Sequence, residues 1–289
     1  MKALVLGARG QLGTDLMREL AGRGHQAVGL GRQELDITRA DLVEQAFRLH
    51  RPDWVLNAAA YNQVDVAEKE PAAALAANGL AARHMAVCCR DSGATLLHFS
   101  TDHVFDGTKT TPYMEEDRPA PVSAYGVSKL AGELYVQAYL RTYCIVRTAG
   151  VFGPQGRHTN RGNFVELMLR MASEGRSIRV VEDFYATPTY APVLAARSVE
   201  LLEKGCFGVY HIGGGQVVSW YQFALMIFGE ADVRAEIQPA NERDYPTPAR
   251  RPKYSGLSNA KMETAGLAPM PSLERALGEY FQKRHGPTP

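Results

Sequence analysis

Tyr125 and Lys129 stand at i and i+4 in Pro121-Val122-Ser123-Ala124-Tyr125-Gly126-Val127-Ser128-Lys129. On a helix that spacing puts a phenol and an ammonium on one face. Ser123 has the side chain of an N-cap, and Leu130-Ala131-Gly132-Glu133-Leu134 continues with apolar residues at helical spacing, so a helix is expected. A free phenol titrates near ~10, too high for acid–base work at neutral pH. A neighbouring ammonium favours phenolate, each pKa unit of lowering needing about 1.4 kcal/mol. Such a pair can give a proton to an alkoxide or take one from an alcohol. The spacing arises readily by chance in a chain with 13 tyrosines, so its surroundings must decide.

Those surroundings read as strands that end in polar or glycine-rich turns. Ala94–Ser100 is an expected strand, ending in Ser100-Thr101-Asp102-His103. In a parallel sheet, ligands bind at the carboxyl ends of strands. Thr101 is therefore placed to hold a substrate oxygen while Tyr125 exchanges its proton, with Ser100 beside the cofactor. Residues 3–6 form a short apolar strand that runs into Gly7-Ala8-Arg9-Gly10-Gln11-Leu12-Gly13 and then a helical pattern over Thr14–Leu20. Gly7, Gly10 and Gly13 let the backbone approach a pyrophosphate, which then rests on helix N-terminal amides alongside Arg9, Gln11 and Leu12. A second strand, His25–Leu30, ends in Gly31-Arg32 with no acid before Glu34. NAD-preferring sites place an acid there, whereas Arg32, joined by Arg9, suits a 2′-phosphate. NADPH is the expected cofactor, with NADH the alternative. Asp36 and Ile37 fall in a loop suited to the adenine. The strand Asp53–Asn57 ends in Ala58, Ala59 and Ala60, small enough for a flat cofactor to lie against the backbone. Asn78, inside a helical stretch over Glu68–Arg90, is expected to satisfy a backbone group rather than do chemistry.

Further on, Tyr143–Arg147 is a strand followed by Thr148–Pro154, and Arg157–Gly162 a polar loop of the kind that closes over substrate. Helices are expected over Asn163–Ser173, Thr189–Glu203 and Trp220–Phe228, a strand over Val209–Ile212, and a domain-crossing turn at Asp183–Pro188. Tyr245–Pro252 is too proline-rich for regular structure, and its Arg250 and Arg251 could clamp a diphosphate. The alternation predicts an α/β fold with a doubly wound, mostly parallel sheet. Residues 1–153 with 187–213 are assigned to a dinucleotide-binding domain. Residues 154–186 with 214–289 form a smaller α+β substrate domain. A net charge of +1 over 289 residues argues against a nucleic-acid surface, and no apolar run has membrane-spanning length. The N-terminus lacks the pattern of a signal peptide. Cys88, Cys89, Cys144 and Cys206 show neither metal-ligand nor disulfide spacing and are expected to be buried thiols in a reducing cytoplasm.

Taken together, these stretches resemble the extended short-chain dehydrogenase/reductases, a Rossmann-type family, and within them the dTDP-4-dehydrorhamnose reductases. The narrower likeness is carried by Leu35-Asp36-Ile37-Thr38, by Asn57–Tyr61 with Val64-Asp65-x-Ala67-Glu68, and by Ser100-Thr101-Asp102-x-Val104-Phe105-Asp106-Gly107. Tyr125-Gly126-x-x-Lys129-x-x-Gly132-Glu133 and Pro248-Ala249-Arg250-Arg251-Pro252-x-x-Ser255 add to it. The resemblance implies hydride transfer from NAD(P)H to C4 of a dTDP-4-keto-6-deoxyhexose. Tyr125 would protonate the oxyanion, Lys129 would hold the nicotinamide ribose, and Thr101 would bind the carbonyl. It also implies a substrate side formed by Asn62, Val64, Asp102, His103, Gly150, Asn163 and Arg251. The family usually has Tyr where this chain has His103 and Trp where it has Gly150, which leaves the identity of the sugar open. Some members dimerise through Mg2+ held by surface carboxylates. Asp15 matches one such position, but no metal is assigned, and a homodimer stays open. Two other classes fit the pattern less well: a sugar-nucleotide dehydratase or epimerase that reoxidises a held NAD+, and a non-catalytic NADP-binding regulatory subunit.

Overall fold

The computed structural model describes residues 1–158, 162–244 and 246–285. Strand and helix alternate from the start, through β1 (Lys2–Leu6), α1 (Gln11–Gly22), β2 (Gln26–Leu30), α2 (Ala40–His50) and β3 (Trp54–Asn57). β1 and β3 are buried almost throughout, as strands covered on both faces must be. Next come α3 (Val64–Ala67), α4 (Pro71–Leu75), a π turn (Ala76–Leu80) and α5 (Ala81–Ser92). The mostly helical stretch expected over Glu68–Arg90 is thus present, its helical turns running without a break from Pro71 to Ser92. Pro71 has no N–H to give to a preceding turn, so it opens α4 instead. β4 (Thr95–Thr101), α6 (Ala124–Tyr139) and β5 (Tyr143–Phe152) follow.

The second half holds α7 (Phe164–Ser173), β6 (Ile178–Val181), β7 (Tyr185–Ala186), β8 (Pro188–Tyr190), α8 (Ala191–Glu203) and β9 (Gly208–His211). It ends with β10 (Val218–Ser219), α9 (Trp220–Glu230), β11 (Ile237–Ala240), α10 (Ala260–Thr264) and α11 (Leu273–His285). The main sheet is 7-stranded, in the order β2-β1-β3-β4-β5-β8 with β9 also on β5, and its pairings are parallel. This is the expected doubly wound α/β architecture. β5 runs past its expected end at Arg147 because β8 pairs with it at Ala149 and Phe152. Nor is Asp183–Pro188 a plain turn, since β7 pairs antiparallel with β10. Residues 159–161 of the expected Arg157–Gly162 loop, and Tyr245, lie outside the described residues.

One face of the sheet packs Val5, Leu56 and Leu97 on Leu16 and Leu20 of α1 and on Leu194 and Val199 of α8. The other face packs Leu4, Val55, Leu96 and Ile145 on Val43 and Phe47 of α2, Met85 of α5 and Val136 of α6. A third cluster joins Phe152 and Tyr190 to Val165, Phe223, Leu277 and Tyr280 from α7, α9 and α11. The chain leaves β1 for β2 on one side and returns to β3 on the other. The crevice between β1 and β3 is therefore the topological switch point where a doubly wound sheet takes its ligand. Among the described residues no helix is long and apolar enough to cross a membrane.

Candidate active site

Ser123 does cap α6: its hydroxyl accepts from the Gly126 amide at 3.2 Å, which fixes the first turn and presents Tyr125 at its start. Thr101 is the last residue of β4. Its Oγ1 donates to Asp102 Oδ1 at 2.9 Å and accepts from the His103 amide at 3.1 Å. Tyr125 and Thr101 are brought together by His103, whose amide donates to Thr101 and whose ring packs on Tyr125. Lys129 is buried, and its Nζ donates to the Phe99 carbonyl at 2.5 Å. Burial pushes the Tyr125 phenol up to about 12, Thr101 pulls it back, and the Asp102 charge raises it. Burial brings the Lys129 ammonium down to about 8, against the opposing charge of Glu133. The expectation that Lys129 biases Tyr125 toward phenolate is therefore not met in the free protein. Burial governs the phenol, and the ammonium faces a backbone carbonyl.

The glycine turn has the form that a dinucleotide requires. Gly7 has φ +78°, and a Cβ there would lie 2.7 Å from the Ala59 nitrogen. A Cβ on Gly13 would collide with the Gly7 carbonyl. These contacts seat α1 directly on the β1 and β3 ends. No side chain caps α1, so the amides of its first turn, at Gln11, Leu12 and Gly13, are left for an anion. A cradle of bare backbone at a switch point fits a pyrophosphate. Asn57 Oδ1 accepts from the Ala59 amide at 3.2 Å, and Asn78 clamps Tyr61 by both its backbone N–H (2.8 Å) and its C=O (2.9 Å). Ala58, Ala59 and Ala60 are thus held from both ends. Asn78 serves the backbone, as its helical setting suggested.

At the end of β2 the structure differs from the sequence expectation. Arg32 is exposed, but Arg9 is committed: its Nη2 donates to Glu34 Oε1 at 2.9 Å, while the Gly31 amide donates to Glu34 Oε2 at 2.8 Å. An acid does reach the strand end, three residues late. Asp36 accepts from the amide and hydroxyl of Thr38, and Ile37 is buried beside Leu35.

Beside the phenol, the His103 ring stands edge-on to Tyr125, with centroids 5.6 Å apart and an interplanar angle of 79°. Its Nδ1 is buried without a hydrogen-bond partner. Burial, joined by the Arg251 charge, holds the imidazole below its ordinary range against the pull of Asp102. Arg251 Nη2 donates to Asp65 Oδ2 at 2.7 Å, and the Ala249 amide donates to Oδ1 at 3.2 Å, pinning the proline-rich tail to α3. Val64 opens α3, and Asn62 is exposed just before it. Arg250 is exposed and Arg251 is tied to Asp65, so they do not form a ready pair. Asn163 caps α7 and donates to Gln11 Oε1 at 2.8 Å, while Gln11 Nε2 donates to the Val151 carbonyl at 3.1 Å. These bonds join the glycine turn to the second half of the chain. Gly150 has φ +50°, and a Cβ there would come 3.0 Å from the Trp220 indole. Trp220 thus occupies the space beside Gly150.

A buried polar chain beneath the site went unnoticed in the sequence. Ser100 Oγ donates to Glu133 Oε1 at 2.5 Å, and the Arg147 guanidinium pairs with Glu133 at 2.7 Å. Arg147 also reaches His211 at 3.4 Å and lies over the Phe105 ring at 5.2 Å. Burial and the Arg147 charge bring the His211 imidazole down to about 3. The signal was there: Glu133 lies one helical turn beyond Lys129, and Arg147 interrupts an otherwise apolar strand.

The fold agrees with that of the relatives. Residues 1–285 match the family described as the RmlD substrate binding domain. The chain belongs to that family. It is 39% identical over 295 residues to a dTDP-4-dehydrorhamnose reductase of Burkholderia thailandensis, covering 96% of this chain and 97% of the relative. It is 38% identical over 283 residues to the spore coat polysaccharide biosynthesis protein SpsK of Bacillus subtilis, covering 98% of each. Among solved structures, a dTDP-4-dehydrorhamnose reductase of Bacillus anthracis in complex with NADP superposes with a TM-score of 0.93 at 35% identity, over 98% of this chain and 99% of that one.

Proposed function

We infer that this protein is an NADPH-dependent oxidoreductase that reduces the 4-keto group of a dTDP-4-keto-6-deoxyhexose, dTDP-4-dehydrorhamnose being the substrate its relatives indicate. The observation that carries the reading is the meeting of Tyr125 and Thr101 beside the buried Lys129, at the carboxyl end of a strand in the crevice that the glycine turn opens. Gly7, Gly10, Gln11, Leu12 and Gly13 would hold the pyrophosphate, Asp36 and Ile37 the adenine side, and Ala58–Ala60 with Ser100 the inner face. Bound there, NADPH supplies the hydride. With substrate bound, the Thr101 hydroxyl turns its proton from Asp102 to the carbonyl oxygen, and Tyr125 gives that oxygen its proton as charge builds on it. A phenol near 12 keeps its proton at neutral pH and yields it only to a strong base such as an alkoxide. The buried Lys129 ammonium places positive charge where the phenolate then appears, an interaction stronger in the transition state than before it. His103, Arg251, Asn62, Val64, Asp102, Gly150 and Asn163 would line the sugar-nucleotide side. The second half of the chain would carry the substrate, and a biosynthetic reductase of this kind belongs in the cytoplasm.

The test is NADPH oxidation in the presence of dTDP-4-dehydrorhamnose. Tyr125→Phe, which removes the phenolic hydroxyl and keeps the ring, should lower kcat by about 10²–10⁴-fold with little change in NADPH affinity. Full turnover by that variant would remove Tyr125 from the chemistry.

A further inference from the structure

We propose that Glu34 sets the coenzyme preference, because its carboxylate occupies the position between the Gly31 amide and the Arg9 guanidinium that a 2′-phosphate would claim. This rests on the reading that the adenosine end of the coenzyme lies at the end of β2. In doubly wound sheets that strand end faces the adenosine ribose. An acid there binds the ribose hydroxyls of NAD, and an arginine accommodates the extra phosphate of NADP. This chain has both, and they are bonded to each other. Glu34 is returned to the strand end by a tight turn in which the Glu34 and Leu35 amides donate to the Gly31 carbonyl at 3.1 and 2.9 Å. One carboxylate oxygen then takes the Gly31 amide at 2.8 Å, and the other takes Arg9 Nε and Nη2 at 3.3 and 2.9 Å. Gly31 must be glycine for this to close. A Cβ there would collide with the Arg9 side chain and lie 2.8 Å from Glu34 Oε2.

Two anions cannot share those donors. An NADH ribose can leave the pair in place and hydrogen-bond to the carboxylate. An NADPH 2′-phosphate must turn Glu34 out, after which Arg9, the Gly31 amide and the exposed Arg32 are free to receive it. Rotation into solvent is open to Glu34, whose side chain is 39% exposed. The wild-type protein therefore accepts both coenzymes, and the negative charge of Glu34 limits how far it favours NADPH. Glu34→Gln keeps the length and one acceptor but removes the charge that repels the phosphate.

The experiment needs no sugar substrate, so its outcome is separate from the assignment of the reductase. Calorimetric titration of the wild type and Glu34→Gln with 2′,5′-ADP and with 5′-AMP gives the ratio of the two affinities. In the variant, that ratio should shift toward 2′,5′-ADP by about tenfold, the scale of one charge-assisted contact. The shift should shrink in high salt, because the groups are exposed. Adding Arg9→Ala to Glu34→Gln should cancel it. An unchanged ratio, or a shift toward 5′-AMP, would overturn the proposal. Loss of sugar reduction with the fragment shift intact would instead strike at the function proposed above.

Discussion

Lys129 carries a conflict between charge and surroundings. Its amine is buried, bonded to the Phe99 carbonyl, and titrates at about 8 instead of 10.5. Between those two values the unfolded chain binds a proton that the folded protein does not, so stability rises with pH across the window. The gain is bounded at about 3 kcal/mol, since each pKa unit is worth about 1.4 kcal/mol. In urea unfolding at about pH 7 and about pH 10, the wild type should gain stability relative to Lys129→Met as pH rises. A constant difference would mean that the ammonium is not strained. At this scale the sequence showed what local geometry dictates. Tyr125 and Lys129 share a helix face, and Thr101 ends a strand. It did not show that burial, and not the ammonium, governs the phenol, because burial depends on which strands lie beneath. Sequence distance from β2 hides the turn that carries the Glu34 carboxylate back to the strand end.

The elements that hold these residues are tied from below rather than at the site itself. α6 leans on β4 and β5 through Glu133, which accepts from Ser100 and pairs with Arg147 while neither partner meets solvent to any extent. A buried ion pair adds little net stability over an apolar equivalent, but removing one partner strands the other. Glu133→Ala should therefore destabilise the protein by about 3–5 kcal/mol, whereas Ser100→Ala should cost about 1–3 kcal/mol. Equilibrium urea unfolding of the two variants checks both size and order, and equal losses would argue against Arg147 being left unpaired. The strands, α6 and its cap were legible because periodicity and capping are properties of short windows. The π turn was not. Asn78 sits there with its carbonyl against Gly132 of α6, where any side chain would collide, and its amide on Tyr61. Such a distortion is set by a contact between distant segments, and β7 with β10 depends on one in the same way.

Across the whole molecule, the open question is whether the sheet and the C-terminal half unfold as one. The third cluster answers physically: its aromatic core takes Phe152 from β5 and Tyr190 from β8, both sheet strands, and packs them on Phe223 of α9 and Tyr280 of α11. Melting α9 and α11 alone would bare these large aromatic surfaces, so partial unfolding is disfavoured. Gln11, bonded to both Val151 and Asn163, ties the glycine turn to the same unit. The chain carries a reporter on each side. Trp54 lies in β3 against His25 at 4.9 Å, and Trp220 opens α9 against Phe164 at 4.8 Å. With Trp220→Phe the fluorescence follows only the sheet, and with Trp54→Phe it follows only the C-terminal half. In each variant the fluorescence midpoint in urea should coincide with the far-UV dichroism midpoint, as a cooperative two-state transition requires. If Trp220 loses its environment at lower urea than the dichroism of the same variant, the C-terminal half is a separate unit. The Phe152–Tyr190 seam would then be too weak to couple substrate side and cofactor side.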